Sequence, residues 1–261
     1  MHIGLIGFGS IGRDIHARLA NDRAFSFSVL RRSALVDVPK NLMQVTSLDA
    51  LLKGAPDIVV ECAGHDAVRA YAANVLRAGK PLLMASLGAL ADATLEAEIN
   101  SAAQTPGARL ILPSGAIGGL DILRAVAADA GVDVQYQGIK PPVAWKGSPA
   151  ETLVDLDTIT TAVPFFTGTG REVAIRFPKN ANVVAALALS GAGFDQLQAT
   201  LIADPSAAGN THWYRVTSRH CTYEMRIESA PSTGNARTSQ TTALSIVDEI
   251  RRFAEHRSTS R

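Results

Sequence analysis

Three glycines at the start of the chain have a spacing that could hold a phosphate. Gly7-Phe8-Gly9-Ser10-Ile11-Gly12 reads G-x-G-x-x-G. In such a turn Gly7 permits a sharp bend, Gly9 lets a pyrophosphate lie against the backbone, and Gly12 lets the next helix pack close to the strand. The first N–H groups of that helix, at Ser10 and Ile11, face the phosphates with the positive end of the helix dipole. A second group follows at Leu30-Arg31-Arg32-Ser33. An Asp or Glu about 20 residues past the glycines usually reads a ribose 2′-hydroxyl. This stretch has no acid, and a guanidinium there would pair bidentately with a 2′-phosphate. The cofactor reading is therefore NADP or NAD, with NADP accepted through Arg31 or Arg32.

The elements that must position these groups can be read from apolar spacing. Ile3, Leu5 and Ile6 form a buried-type strand before the glycines. Ile11, Ile15, Leu19 and Ala20 line one face of a helix after them, opposite Arg13, Asp14 and Arg18. Strand, glycine turn and helix are the context this motif requires. Strands at 25–30, 57–62, 81–85 and 109–112 then alternate with helices at 47–53, 66–78 and 92–103. That alternation predicts an α/β fold, an N-terminal Rossmann-type doubly wound parallel sheet.

After Pro113 the rhythm changes. A helix from Leu120 to about Ala130 and a strand at 132–139 are followed by half-exposed strands at 172–177, 197–202, 212–217 and 223–228, with a helix at 182–189 between them. This half reads as a C-terminal α+β domain with a mostly antiparallel sheet. A last helix, about 240–256, is apolar at Leu244, Val247, Ile250 and Phe253 and is expected to dock on the first domain. The expected division is a dinucleotide-binding domain over 1–115, joined by the C-terminal helix 238–261, and a substrate and catalytic domain over 116–237. The C-terminal edge of the parallel strands would gather Gly7–Gly12, Arg31-Arg32, Ala63-Gly64-His65, Ser86–Ala89 and Ser114–Ala116. All but the arginines are small-residue loops that allow close approach to a cofactor, which puts Ala63 and Gly64 among the cofactor-binding residues. The active site is expected in the cleft between the domains.

Composition excludes several classes. The formal net charge of +1 leaves no nucleic-acid footprint. No apolar run approaches the roughly 20 residues of a spanning helix, and the opening strand lacks the marks of a signal peptide. Cys62 and Cys221 stand alone and read as reduced thiols, so the expected setting is the cytoplasm. No Cys/His cluster suggests a metal.

Several motifs together resemble the L-aspartate dehydrogenase family. They are the glycine turn, Glu61-Cys62-Ala63-Gly64, Pro113 to Asp121, Lys140-Pro141-Pro142, Phe177 to Val183, Ala203-Asp204-Pro205, Asn210-Thr211-His212, and Arg237-Thr238-Ser239 before Thr242 to Ser245. The resemblance spans essentially the whole chain, and the motifs fall in family order. It implies NAD(P)-dependent oxidative deamination of L-aspartate to iminosuccinate, which hydrolyses to oxaloacetate and ammonia or feeds NAD biosynthesis, together with the reverse reductive amination. It also implies cofactor contacts at Ala116 and Asn182, an active-site histidine at His212, and a homodimer.

Loss of hydride from an amino-acid α-carbon requires a neutral amine, and an imidazole with a pKa of about 6.5 suits that proton step. His212 is the residue chosen; His220 and His65 are the rivals. The two carboxylates of aspartate need cations or N–H donors. Lys179 and the Thr238-Ser239 segment are the candidates, with Lys140 and Lys146 behind them. Two other readings compete: a related dehydrogenase or imine reductase acting on another small amino or dicarboxylic acid, and a non-catalytic NADP-binding regulatory protein. Replacing Arg31 and Arg32 by Ala should raise KM for NADP(H) far more than for NAD(H). Steady-state kinetics with each cofactor checks this, and equal effects on the two would refute the phosphate assignment.

Overall fold

The computed structural model describes residues 1–31, 39, 41–129, 131–229 and 240–259. The chain divides into two compact units, Met1–Pro113 with Ala243–Arg261, and Ser114–Thr242.

In the first unit the strands are β1 (His2–Ile6), β2 (Ser26–Leu30), β3 (Leu42–Val45), β4 (Ile58–Glu61), β5 (Pro81–Met84) and β6 (Arg109–Ile111). They form one sheet in the order β3-β2-β1-β4-β5-β6, parallel throughout. The central strands are apolar along their length because helices cover both faces of such a sheet; β4 is buried at every position. The helices are α1 (Ser10–Leu19), α2 (Leu48–Lys53), α3 (His65–Ala67), α4 (Ala73–Arg77) and α5 (Ala93–Ala102). Two begin on side-chain caps: Ser47 Oγ accepts from Ala50 N at 3.2 Å, and Asp92 Oδ1 accepts from Thr94 N and Leu95 N. Strand order reverses between β1 and β4, the chain adding β2 and β3 on one side and β4, β5 and β6 on the other, so the loops after β1 and β4 open beside each other. In sheets of this kind that is where ligands bind.

The second unit contains α6 (Leu120–Asp129), β7 (Asp133–Lys140), α7 (Pro142–Trp145), β8 (Val163–Thr169), α8 (Gly170–Arg176), α9 (Ala181–Leu187), β9 (Gln198–Ala203), β10 (Thr211–Thr217) and β11 (Thr222–Glu228). Its sheet runs β11-β10-β7-β9-β8 and is antiparallel except where β7 and β9 run parallel. Both halves of the expected fold are thus present.

One predicted strand is a helix. The alternation at 172–177 suggested β structure, but Thr169 and Glu172 close a capping box. Thr169 Oγ1 accepts from Glu172 N at 3.2 Å, and Glu172 Oε2 accepts from Thr169 N at 2.7 Å. Val173, Ala174 and Phe177 are buried at helical spacing while Ile175 faces solvent. The edge strand in this region is β8 instead, which carries Pro164, a residue tolerated at a sheet edge, and shifts register between Pro164 and Phe166.

The closing helix, α10 (Gln240–Thr259), belongs to the first unit from Ala243 onward. Ile246, Val247 and Ile250 enter the cluster formed by Ile3, Leu5, Val29 and Val60. Ile250 is fully buried. Ile250→Ala should therefore destabilise the protein by about 2–5 kcal/mol, read from the denaturant midpoint of the first unit. A change below about 0.5 kcal/mol would show that the helix does not carry core packing.

Candidate functional site

In the first unit the glycine turn has the geometry its sequence implies. Gly7 has φ +100°, and a Cβ there would come within 2.7 Å of Ala63 Cβ. A Cβ on Gly12 would lie 2.7 Å from the Gly7 carbonyl oxygen, so only glycine lets α1 approach that closely. Around Gly9 nothing stands within 4 Å of where a Cβ would be. No side chain caps α1, and its first turn carries no acid, so the N–H groups of Ser10 and Ile11 are available to an anion.

The turn is braced from below by a group the sequence reading missed. Glu61, at the end of β4, is 1% exposed. Its Oε1 accepts from Ala63 N (2.7 Å), Gly64 N (2.9 Å) and Ser86 Oγ (3.1 Å), and its Oε2 accepts from Ser86 N (3.0 Å). One carboxylate therefore ties together the loops that follow β4 and β5. Burial pushes its pKa up, against the pull of these four donors. The signal was an acid closing an otherwise apolar strand, a position where a charge needs a purpose. Ala63 and Gly64 thus lie beside the glycine turn, their amides turned to Glu61.

Arg31 follows β2, and its N–H donates to the Val45 carbonyl at 3.1 Å. Its Nη1 is buried and has no hydrogen-bond partner among the described residues. An orphaned guanidinium nitrogen fits the expected phosphate contact. Arg32 lies outside the described residues, as do Thr238 and Ser239.

In the second unit Ala116 is buried in the segment between β6 and α6. Two tyrosine hydroxyls hold that segment. Tyr214 on β10 donates to the Gly118 carbonyl, and Tyr223 on β11 donates to the Gly119 carbonyl at 3.0 Å. Gly119 has φ +69°, and a Cβ there would meet Tyr214 Oη at 2.6 Å. Asn182 lies in the first turn of α9. Lys179 sits in the 3₁₀ turn Pro178–Asn180 before that helix; its side chain lies outside what the structure describes.

The most unusual polar group in this unit surrounds His212. On β10, His212, Tyr214 and Val216 alternate onto the buried face; on β7, Val134, Tyr136, Gly138 and Lys140 do the same. His212 pairs across the ladder with Gly138. The Tyr136 hydroxyl sits diagonally, hydrogen-bonded to His212 Nδ1 at 2.9 Å, with the two rings stacked at 6.1 Å. Gly138 makes room: a Cβ there would press to 2.8 Å from Tyr136 Oη. Lys140 Nζ donates to Asn180 Oδ1 and lies 5.0 Å above the Trp145 ring.

The expectation of an ordinary imidazole is overturned here. His212 is 7% exposed. Burial first, and the charge of Lys140 second, lower its pKa to about 3. Burial also lowers that of Lys140, to about 8, and raises that of Tyr136 well above the usual phenol value. At neutral pH the cluster is a neutral imidazole, a neutral phenol and a mostly charged ammonium. The rivals lie elsewhere. His220 is in the exposed β10–β11 turn, engaged with Asp129 alongside Arg219. His65 opens α3, and Lys146 pairs with Asp157 on the surface. Among the described residues no group of three or more His, Cys, Asp or Glu side chains could hold a metal, and no helix is long and apolar enough to cross a membrane.

Comparison with known proteins agrees with both units. The family model for the NAD-binding domain of homoserine dehydrogenase matches residues 7–113, and that for the C-terminal part of aspartate dehydrogenase matches 121–253. The chain is 44% identical to the L-aspartate dehydrogenase of Ruegeria pomeroyi over 253 residues, 96% of this chain and 92% of that protein. It is 41% identical to L-aspartate dehydrogenase 2 of Bordetella bronchiseptica over 256 residues, 96% of each. The crystal structure of aspartate dehydrogenase from Thermotoga maritima superposes with a TM-score of 0.80 at 28% identity, covering 97% of this chain and 96% of that one.

An unfolded histidine binds its proton near 6.5, but folded His212 binds its proton only near 3. Acidification across that window therefore favours the unfolded state. By NMR, the His212 ring should still be neutral at about pH 5, and Lys140→Met should move its titration upward, since a repelling charge is removed. A midpoint near the free-histidine value in the native protein would contradict the burial argument.

Proposed function

Because the chain belongs to the L-aspartate dehydrogenase family, we propose that it catalyses NAD(P)-dependent oxidative deamination of L-aspartate to iminosuccinate, and the reverse reductive amination, with His212 as the proton-handling residue. The observation that carries the catalytic assignment is the buried His212–Tyr136 pair. A neutral imidazole fixed by one ring nitrogen leaves the other free for a substrate proton.

The first unit fits the cofactor: an open cradle at Gly9, uncapped N–H groups at Ser10 and Ile11, and the orphaned Arg31 Nη1. In this reading Gly7, Gly9, Ser10, Ile11, Gly12, Ala63 and Gly64 hold the pyrophosphate side, Arg31 with Arg32 holds a 2′-phosphate, and Ala116 and Asn182 contribute from the second unit. When bound, the dinucleotide supplies a nicotinamide ring that accepts the hydride from the substrate α-carbon.

The chain's own residues do the rest. His212 removes a proton from the α-ammonium, and the freed lone pair closes the C=N bond as hydride departs. Tyr136 holds the imidazole in one orientation and, with its pKa raised, keeps its own proton. Once His212 has released that proton to solvent, water adds to the imine carbon; His212 takes one proton from the water and returns it to the departing nitrogen, so ammonia leaves and oxaloacetate remains. The wider reading is of a cytoplasmic homodimer whose product can enter NAD biosynthesis. Two free cysteines support the compartment, and the alternately half-buried β11 supports an assembly.

His212→Ala should lower kcat about 10²- to 10⁴-fold while the Kd for NADP, measured by fluorescence, stays within about threefold. His220→Ala should leave both unchanged. Near-normal kcat in the His212 variant with loss in the His220 variant would overturn the assignment.

A further inference from the structure

Lys140 is a buried cation that no acid balances among the described residues. It ends β7 on the same face as Tyr136 and Gly138, and it is 6% exposed. Its ammonium carries three N–H donors. One goes to Asn180 Oδ1, and the Trp145 ring covers another side. None of the ion pairs among the described residues includes it; Lys146, six residues on, pairs with Asp157. An isolated buried ion costs several kcal/mol, and an amide oxygen and an aromatic face offset only part of that. Its charge also weighs on His212.

We infer that Lys140 is the carboxylate subsite of the active site, its ammonium steered by Asn180 Oδ1 to receive one carboxylate of the dicarboxylate substrate beside His212. This rests on the proposed aspartate activity and replaces Lys179, Thr238 and Ser239 as the first carboxylate ligand. It also acts on the smaller of the two causes that hold the His212 pKa down. The arriving anion offsets the Lys140 charge, so the imidazole becomes a better base once substrate is in place.

The test compares wild type, Lys140→Met and Lys140→Arg by the KM for L-aspartate, the Ki of succinate as competitive inhibitor, and the KM for NADP. A charge-assisted hydrogen bond lost from a buried site is worth about 10- to 100-fold. Lys140→Met should raise the aspartate KM and the succinate Ki together by that factor, with the NADP KM within about threefold. Lys140→Arg should recover part of both. The thermal midpoint of Lys140→Met should be unchanged or higher, since an apolar side chain of similar length replaces a buried charge. If the Met variant keeps both constants near wild type, or loses only kcat, the subsite assignment is overturned while the family activity stands. If wild type neither turns over aspartate nor binds succinate, the function on which it rests fails with it.

Discussion

The buried contact between His212 and Tyr136, with Lys140 alongside, is the constraint around which the candidate site of the second unit is built. A histidine nine-tenths or more removed from water must find a partner for its ring nitrogen or lose about 1–3 kcal/mol. Tyr136 provides it at 2.9 Å, and two features of the ladder make that possible. The β7–β10 register sets Gly138 opposite His212, and the absent Cβ leaves space for the Tyr136 hydroxyl. The same alternation sets Lys140 on the shared face. A one-residue slip of β10 would turn His212 to the other face and break its contact with Tyr136, so the role proposed for His212 depends on the sheet register.

The first unit solves a different problem. A backbone must come close to phosphates, and loops of small residues are floppy unless something ties them down. Only glycine fits at positions 7 and 12, because neighbours stand within 2.7 Å of where a Cβ would be. Glu61 then anchors the adjoining loops through four hydrogen bonds to one carboxylate. In the second unit, Tyr214 and Tyr223 do comparable work on the Gly118-Gly119 backbone. In each case a hydrogen-bonded polar side chain ties down a glycine-rich segment.

Much of this was legible in the residues. The glycine spacing, the alternating strands and helices of the first half, and the change of rhythm after Pro113 reported local periodicity, which sequence carries directly. His212 was reached through a motif resemblance; its strand-start position alone would have suggested a structural role. What stayed hidden was non-local. Tyr136 and His212 are 76 residues apart and meet only through strand pairing. Glu61 and Ser86 meet across neighbouring parallel strands. Lys140 ranked behind Lys179 because burial, not residue type, is what makes it unusual. The misread helix at 170–176 shows the converse: a capping box was present in Thr169 and Glu172, but a short alternating apolar run outweighed it.

A neutral buried imidazole in an aspartate dehydrogenase is the centre of the proposed chemistry. The most direct test is the formation of reduced nicotinamide when purified protein is mixed with L-aspartate and NADP or NAD, followed in parallel with oxaloacetate, ammonia and the reduced cofactors. Aspartate-dependent reduction, reversal by oxaloacetate with ammonia, and no comparable rate with L-alanine, which lacks the second carboxylate, are expected. Tight binding of the dinucleotide with no turnover of aspartate in either direction would contradict this chemistry.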